Sequence, residues 1–233
     1  SAVTNMSGMF SDATEFNQDI GSWERNTDPN DISTLANVTD MSYMFYKAAV
    51  FDQDIGSWNV GNVINMIAMF YEAAVFDQDI GSWDVSNVTD MRAMLYLAAT
   101  FNNGGVGGEN LGLDTWDVSS VTDMAFMFGK AENFNQDIGS WDVSGVTDMS
   151  RMFDSAFSFN QNLQSWPNNP SGGGFNAALS GNTDDMFKNS GVKTFPPFSG
   201  IPDTPTTTPL TTWQNYWNKP LTDGAVTTVG SIK

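Results

Sequence analysis

Four carboxylates are the first residues whose spacing could do chemistry. Asp52 and Asp54 lie in Phe-Asp-Gln-Asp-Ile-Gly-Ser-Trp at 51–58, and Asp77 and Asp79 hold the same places in an identical phrase at 76–83. Stacked one phrase over the other, they would offer hard oxygen ligands of the kind Ca2+ takes. Their plainer use is in turns, because an Asx side chain bonds its own backbone two residues on. No EF-hand loop or nonapeptide calcium repeat accompanies them. Calcium is therefore the only cofactor the sequence admits, and it competes with turn formation.

Most other site chemistry is excluded by composition. The 233 residues include no His and no Cys. That removes the Ser-His-Asp triad, imidazole ligands, thiolate zinc sites and disulfides. The Met-x-x-Met-Phe phrases offer soft thioether ligands, but they recur at helical spacing and read as core. Paired carboxylates could hydrolyse glycosides. A catalytic pair should break a repeat, however, and these acids follow one. The expectation is a non-enzymatic protein. Acidic residues number 27 against 9 Lys and Arg, for a formal charge of -18. Nucleic acid and anionic membrane surfaces are disfavoured as partners. No apolar run reaches the roughly 18 residues of a membrane-spanning helix.

The elements that position these residues are repeats. The phrase Phe-(Asn/Asp)-Gln-Asp-Ile-Gly-Ser-Trp occurs at 16–23, 51–58, 76–83 and 134–141, with a decayed copy at 159–166 and a stretched one at 101–116. Tryptophans fall at 23, 58, 83, 116, 141 and 166, which sets a unit of 25 residues with inserts near 24–33 and 103–110. A second phrase, Val-x-Asp-Met-x-x-Met-Phe, follows in most units and opens the chain at 3–10. Trp83 and Val85 alternate with Ser82, Asp84 and Ser86, the period of a half-buried strand. Thr89-Asp90 then precedes Met91, Met94, Leu95 and Ala98, which predicts a capped short helix. Such units bury their apolar faces only by stacking. The expected fold is an α/β solenoid over 1–195, with about six or seven units, short strands on one face and short helices on the other. A Pro/Thr-rich linker at 196–209 and an aromatic tail at 210–233 follow.

The phrase Phe-Asn-Gln-Asp-Ile-Gly-Ser-Trp-Asp-Val-Ser-x-Val-Thr-Asp-Met-x-x-Met-Phe resembles the repeat of the BspA-like leucine-rich-repeat surface proteins, also known as the DUF285 or Mycoplasma-lipoprotein type. The resemblance spans about residues 3–192. It implies a leucine-rich-repeat-like solenoid on an exported, cell-surface protein of adhesive character, with no enzymatic site to carry over. No lipobox cysteine supports a lipid anchor.

Two functional expectations follow. In the first, polar strand positions form a binding face for a glycan or a protein: Ser57 and Asn59, Ser82 and Asp84, Thr115 and Asp117, Ser140 and Asp142. In the second, the chain is a structural subunit of a surface filament, layer or virion appendage. Ser1 opens in mid-repeat and reads as the start of a processed product or a fragment. Val3, Met6, Met9 and Phe10 would then form an uncapped end. Trp213, Tyr216 and Trp217 of the tail would be able to reach another copy.

Overall fold

The computed structural model describes residues 3–24, 35–104, 111–161, 163, 166 and 185–191. The linker, the tail with Trp213, Tyr216 and Trp217, and most of both inserts lie outside these residues.

The expected strands and helices are not there. Among the described residues the regular structure is three 3-10 segments, Gly21–Glu24, Leu35–Asn37 and Leu113–Thr115. Beside them run isolated parallel bridges joining Asn5, Asp40, Asn65, Asp90, Asp123 and Asp148 in sequence. The α/β expectation is thus corrected: each unit is a coil of tight turns, and the coils stack in parallel register.

The reason is visible where a helix was expected. Met44 N–H donates to Met41 C=O at 3.3 Å, and Ala48 N–H to Phe45 C=O at 3.0 Å, closing four-residue turns. The N–H groups of Met41, Tyr43, Phe45 and Lys47 instead reach the next coil, donating to Asn65, Ile67, Met69 and Tyr71 at 2.7–3.0 Å. These donors are spent between coils, so no i→i−4 ladder forms. Tyr43 and Lys47 take φ of 57°, and Ala68 and Glu72 take 50° and 56°. A positive φ at the third turn position is the mark of a type II turn, and it ends an α-helix wherever it falls. A chain of such turns places apolar side chains three and four apart, which is the spacing a helix also produces.

The expected strand keeps its alternation but not its ladder. Ser82 and Asp84 are exposed, and Trp83 and Val85 are buried. No backbone–backbone hydrogen bond crosses between coils over residues 80–88. Side chains make the crossing instead. The Trp83 indole N–H donates to Ile55 C=O at 3.1 Å, and Trp58, Trp116, Trp141 and Trp166 do the same to Ile20, Ile80, Leu113 and Ile138. Gly56 lets the coils approach: a Cβ there would come within 2.6 Å of the Asp79 carbonyl oxygen.

The core is the inside of the stack. One unit sends Phe76, Ile80, Trp83, Val85, Val88, Met91, Met94, Leu95 and Ala98 inward, all buried. Rings stack along columns, with Phe45 on Phe70 at 5.4 Å and Trp116 on Trp141 at 6.1 Å. Each large inward side chain contributes roughly 1.5–3 kcal/mol on burial, against roughly 1–2 kcal/mol for holding a non-glycine residue in the left-handed region. The inward residues outnumber the two strained positions of a unit several-fold, so packing wins.

Trp83→Ala is expected to cost roughly 3–5 kcal/mol in denaturant unfolding. Trp83→Phe should cost less, yet still about 1–3 kcal/mol, because the buried Ile55 carbonyl loses its donor. A Phe variant as stable as the parent would show that the indole N–H bond adds nothing.

Candidate ligand-binding groove

Of the sequence-predicted binding and metal residues, the structure brings Asp54, Ser57, Asp77, Asp79 and Ser82 together along one groove, whereas Asp52, Asn59, Asp84, Thr115, Asp117, Ser140 and Asp142 are not among its lining. Asp19, Asp54 and Asp79 form one column, and Ser22, Ser57 and Ser82 run beside it. Between them lies an open groove. One stretch, of about 530 Å³, is lined by Asp54, Gly56, Ser57, Asp77, Gln78 and Asp79, with Ser82 and Gly104 at its edge. Its continuation, of about 200 Å³, shares Asp54 and Ser57 and adds Asp19, Gly21, Ser22 and Gln53.

Each side chain here already serves the fold. The hydroxyls of Ser57, Ser82, Thr115 and Ser140 donate to the preceding coil, to the carbonyls of Gly21, Gly56, Gly81 and Asp114 at 3.4, 2.7, 2.8 and 3.0 Å. Asn59, Asp84, Asp117 and Asp142 accept the N–H two residues on, from Gly61, Ser86, Ser119 and Ser144. Hydrogen bonding from Ser119 holds the Asp117 carboxyl below the usual carboxylate range. Asp54 and Asp79 accept from Gly56 and Gly81 at 3.0 and 2.9 Å.

Asp52 and Asp77 work between coils. Asp52 Oδ1 accepts Asp77 N–H at 3.0 Å and Gln78 Nε2 at 2.8 Å. Asp77 Oδ1 accepts Asn102 N–H at 2.7 Å and Gly104 N–H at 3.0 Å. The four acids expected to meet at calcium are thus engaged as turn and coil connectors. Among the described residues no group of three or more His, Cys, Asp or Glu is arranged to hold a metal ion.

The electrostatic consequence is an acceptor-rich face. The Ser57 and Ser82 hydroxyls are spent on backbone carbonyls, and the turn bonds of Asp54 and Asp79 use one carboxylate oxygen each. The groove-lining stretches 19–22, 53–57 and 77–82 hold aspartates and neither Lys nor Arg.

Three contributors escaped the sequence reading. Gln53 and Gln78 line the groove and bridge back to Asn17 and Asp52. Asn103 is buried, accepts Ile80 N–H at 2.8 Å and donates to Leu111 C=O at 2.9 Å, tying the second insert to the coil. Its signal was available: it replaces the Gln that other units carry.

The opening half-copy joins the stack in register, with Met6 N–H donating to Asp40 C=O at 2.9 Å. Val3 and Met9 are exposed, while Met6 and Phe10 are half-buried against the core with Phe16 and Trp23.

The family model described as a Mycoplasma protein of unknown function, DUF285, matches residues 1–35, 26–107 and 109–190. The chain belongs to the DUF285 family. No curated protein and no solved structure matches it. The DUF285 unit is therefore seen here as a coil of turns closed by Trp–carbonyl and Asx–amide contacts. No helix among the described residues is long and apolar enough to cross a membrane.

Stacked DUF285 units also bring Asp90, Asp123 and Asp148 into one column. Burial pushes the Asp123 carboxyl up, and the neighbouring Asp90 and Asp148 charges push the same way against Ala125 N–H and Arg92. A carboxyl raised in the folded state lowers stability above its folded pKa, and that loss is recovered as pH falls through it. Asn65 fills the same column place and makes the same turn bond, accepting Ile67 N–H at 3.0 Å. Asp123→Asn should therefore raise Tm at neutral pH, and the gain should shrink as pH falls through the carboxylate range. An equal gain at every pH would place its origin elsewhere. Millimolar Ca2+ and EDTA are expected to leave Tm unchanged; a rise with Ca2+ that Asp54→Asn with Asp79→Asn abolishes would restore the calcium reading.

Proposed function

We propose that this chain is a non-enzymatic recognition module of an extracellular or cell-surface protein, binding a glycan or a protein through the groove face. The observation that carries the reading is the groove itself: an open channel lined by Asp19, Asp54, Asp77 and Asp79, with no Lys or Arg among the described residues that line it. Such a surface selects donors. Sugar hydroxyls and the ammonium or guanidinium groups of a basic protein segment both fit it. The resemblance to BspA-like surface proteins, described as adhesive, points the same way. No nucleic acid, membrane insertion or cofactor forms part of this reading. The second reading, a structural subunit of a surface filament, layer or virion appendage, draws on the row of stacked tyrosines Tyr46, Tyr71 and Tyr96 on the turn segments.

The test is direct binding of the folded chain to immobilised glycans and to basic surface proteins. Replacing Asp19, Asp54 and Asp79 by Asn keeps each turn acceptor and removes three charges. Exposed charge pairs contribute roughly 0.2–1 kcal/mol each, so the triple variant should bind about tenfold more weakly. Binding that ignores the triple change, or no binding to either panel, would refute the groove as the recognition face.

A further inference from the structure

One dipeptide departs from the repeat. Other coils place Gln after Phe-(Asn/Asp), and the coil that carries the second insert reads Phe101-Asn102-Asn103-Gly104. Asn103-Gly104 is the one Asn-Gly pair in the 233 residues. Asn-Gly is the dipeptide most open to deamidation, because glycine brings no Cβ to hinder its own nitrogen from attacking the asparagine side chain. The Gln of the other coils closes such a ring far more slowly, through its longer side chain. The same pair fastens the insert. Asn103 and Gly104 take φ of 58° and 66°, two successive left-handed residues where the insert begins. Asn103 is buried; its Oδ1 accepts Ile80 N–H at 2.8 Å and its Nδ2 donates to Leu111 C=O at 2.9 Å. Gly104 N–H donates to Asp77 Oδ1 at 3.0 Å. Leu111 lies over Gly81, where any Cβ would collide with its carbonyl. One amide side chain thus joins the start and the end of the insert to the preceding coil.

We infer that Asn103 is a deamidation site gated by the seating of the second insert. In the reaction Gly104 N bonds Asn103 Cγ, Nδ2 leaves as ammonia, and the Gly104 amide proton passes to solvent. Water then opens the cyclic imide at either carbonyl and gives aspartate or isoaspartate. One water is taken up and one ammonia released, with no oxidant or reductant. Seated, the pair is kept from this chemistry. Gly104 N–H is committed to Asp77, and turning Cγ toward Gly104 breaks the bonds to Ile80 and Leu111. Only the opened insert reacts.

The product does not reseat. Aspartate keeps the acceptor for Ile80 N–H but loses the donor to Leu111, which sets oxygen against oxygen. Asn103 Nδ2 also lies 3.4 Å from Asp79 Oδ1, so a carboxylate oxygen in its place meets a like charge. Asp77, bonded to Gly104, is the second acid beside it. Among the described residues neither Asp77 nor Asp79 has a Lys or Arg in salt-bridge contact. A buried carboxylate with no cation to pair it is strongly disfavoured. Isoaspartate lengthens the backbone and loses the side-chain geometry altogether. Asp77, Asp79 and Gly104 line the groove, so the reaction adds a negative charge beside it. A transient opening of the insert is thereby made permanent.

Ageing the folded full chain at mildly alkaline pH, followed by peptide mass mapping, tests this. Asn103 is expected to convert to aspartate and isoaspartate about tenfold or more slowly than in a free peptide spanning 99–107, since only the opened fraction reacts. Urea well below the unfolding midpoint should raise the rate. Asp77→Ala, which removes the acceptor of Gly104 N–H, should raise it too; circular dichroism checks that variant, and the urea series carries the test if it does not fold. Asn103→Asp should melt below the parent at neutral pH. Burial and the neighbouring acids favour its neutral form, and a proton restores a donor to Leu111, so the gap should narrow as pH falls. Three outcomes would overturn the proposal. They are an Asn103 left intact in urea while the peptide converts fully, a folded-chain rate equal to the peptide's, and an Asn103→Asp variant as stable as the parent at neutral pH. No readout involves a ligand, so the groove's recognition role is judged separately.

Discussion

The structure depends on where the backbone N–H groups of the Met-x-x-Met-Phe segment find their acceptors. Every second donor, from Met41 to Lys47 and from Met66 to Glu72, bonds a carbonyl one coil away. A helix would have satisfied the same donors locally and left the units joined by side chains alone. Sending them outward makes each coil the template for the next, because buried amides must be paired. The left-handed φ values follow from this geometry, since the intervening turns must reverse the chain within three residues.

The opposite side of each coil solves the same accounting problem with side chains. Over the Gly-Ser-Trp-Asp-Val stretch the carbonyls of Ile and Gly accept from Trp indoles and Ser hydroxyls of the following coil. On the flank, Asn17, Asp52, Asn102 and Asn135 receive the N–H of the residue stacked above. The polar residues that give the groove its character are therefore also fasteners. Only the lone pairs left over are available on the groove face, which is why it is rich in acceptors.

Stacking identical units has an electrostatic cost, because like residues fall into columns about one strand spacing apart, roughly 4.8 Å. The chain answers it by interspersion. Asn5 and Asn65 alternate with Asp40 and Asp90, and Arg92 lies between Asp90 and Asp123. Where Asp123 is followed directly by Asp148, burial and like charge raise a carboxyl. The described Lys and Arg residues lie on the turn face among its own acids, Arg92 with Asp90 and Asp123, and Arg151 and Lys188 with Asp185.

The repeat, its 25-residue period and the inward residues were legible in the sequence, because a side chain's side of a coil is set by local spacing and Phe76, Trp83, Val85 and Met91 kept the phase their spacing implied. The Asx turns at Asp54 and Asp79 were legible for the same local reason, whereas Asp84, expected on a strand face, closes a turn of its own. The secondary structure was not. Successive tight turns and a helix both place apolar residues three and four apart, and the positions with positive φ hold Tyr, Lys, Ala and Glu in place of the glycine that would announce them. Nor could the sequence assign partners across coils. That Trp83 bonds Ile55, that Ser82 bonds Gly56, and that Asp54 and Ser57 share one groove depends on the register between units. Only the stacked core decides that register, because it alone brings residues some 25 positions apart into contact.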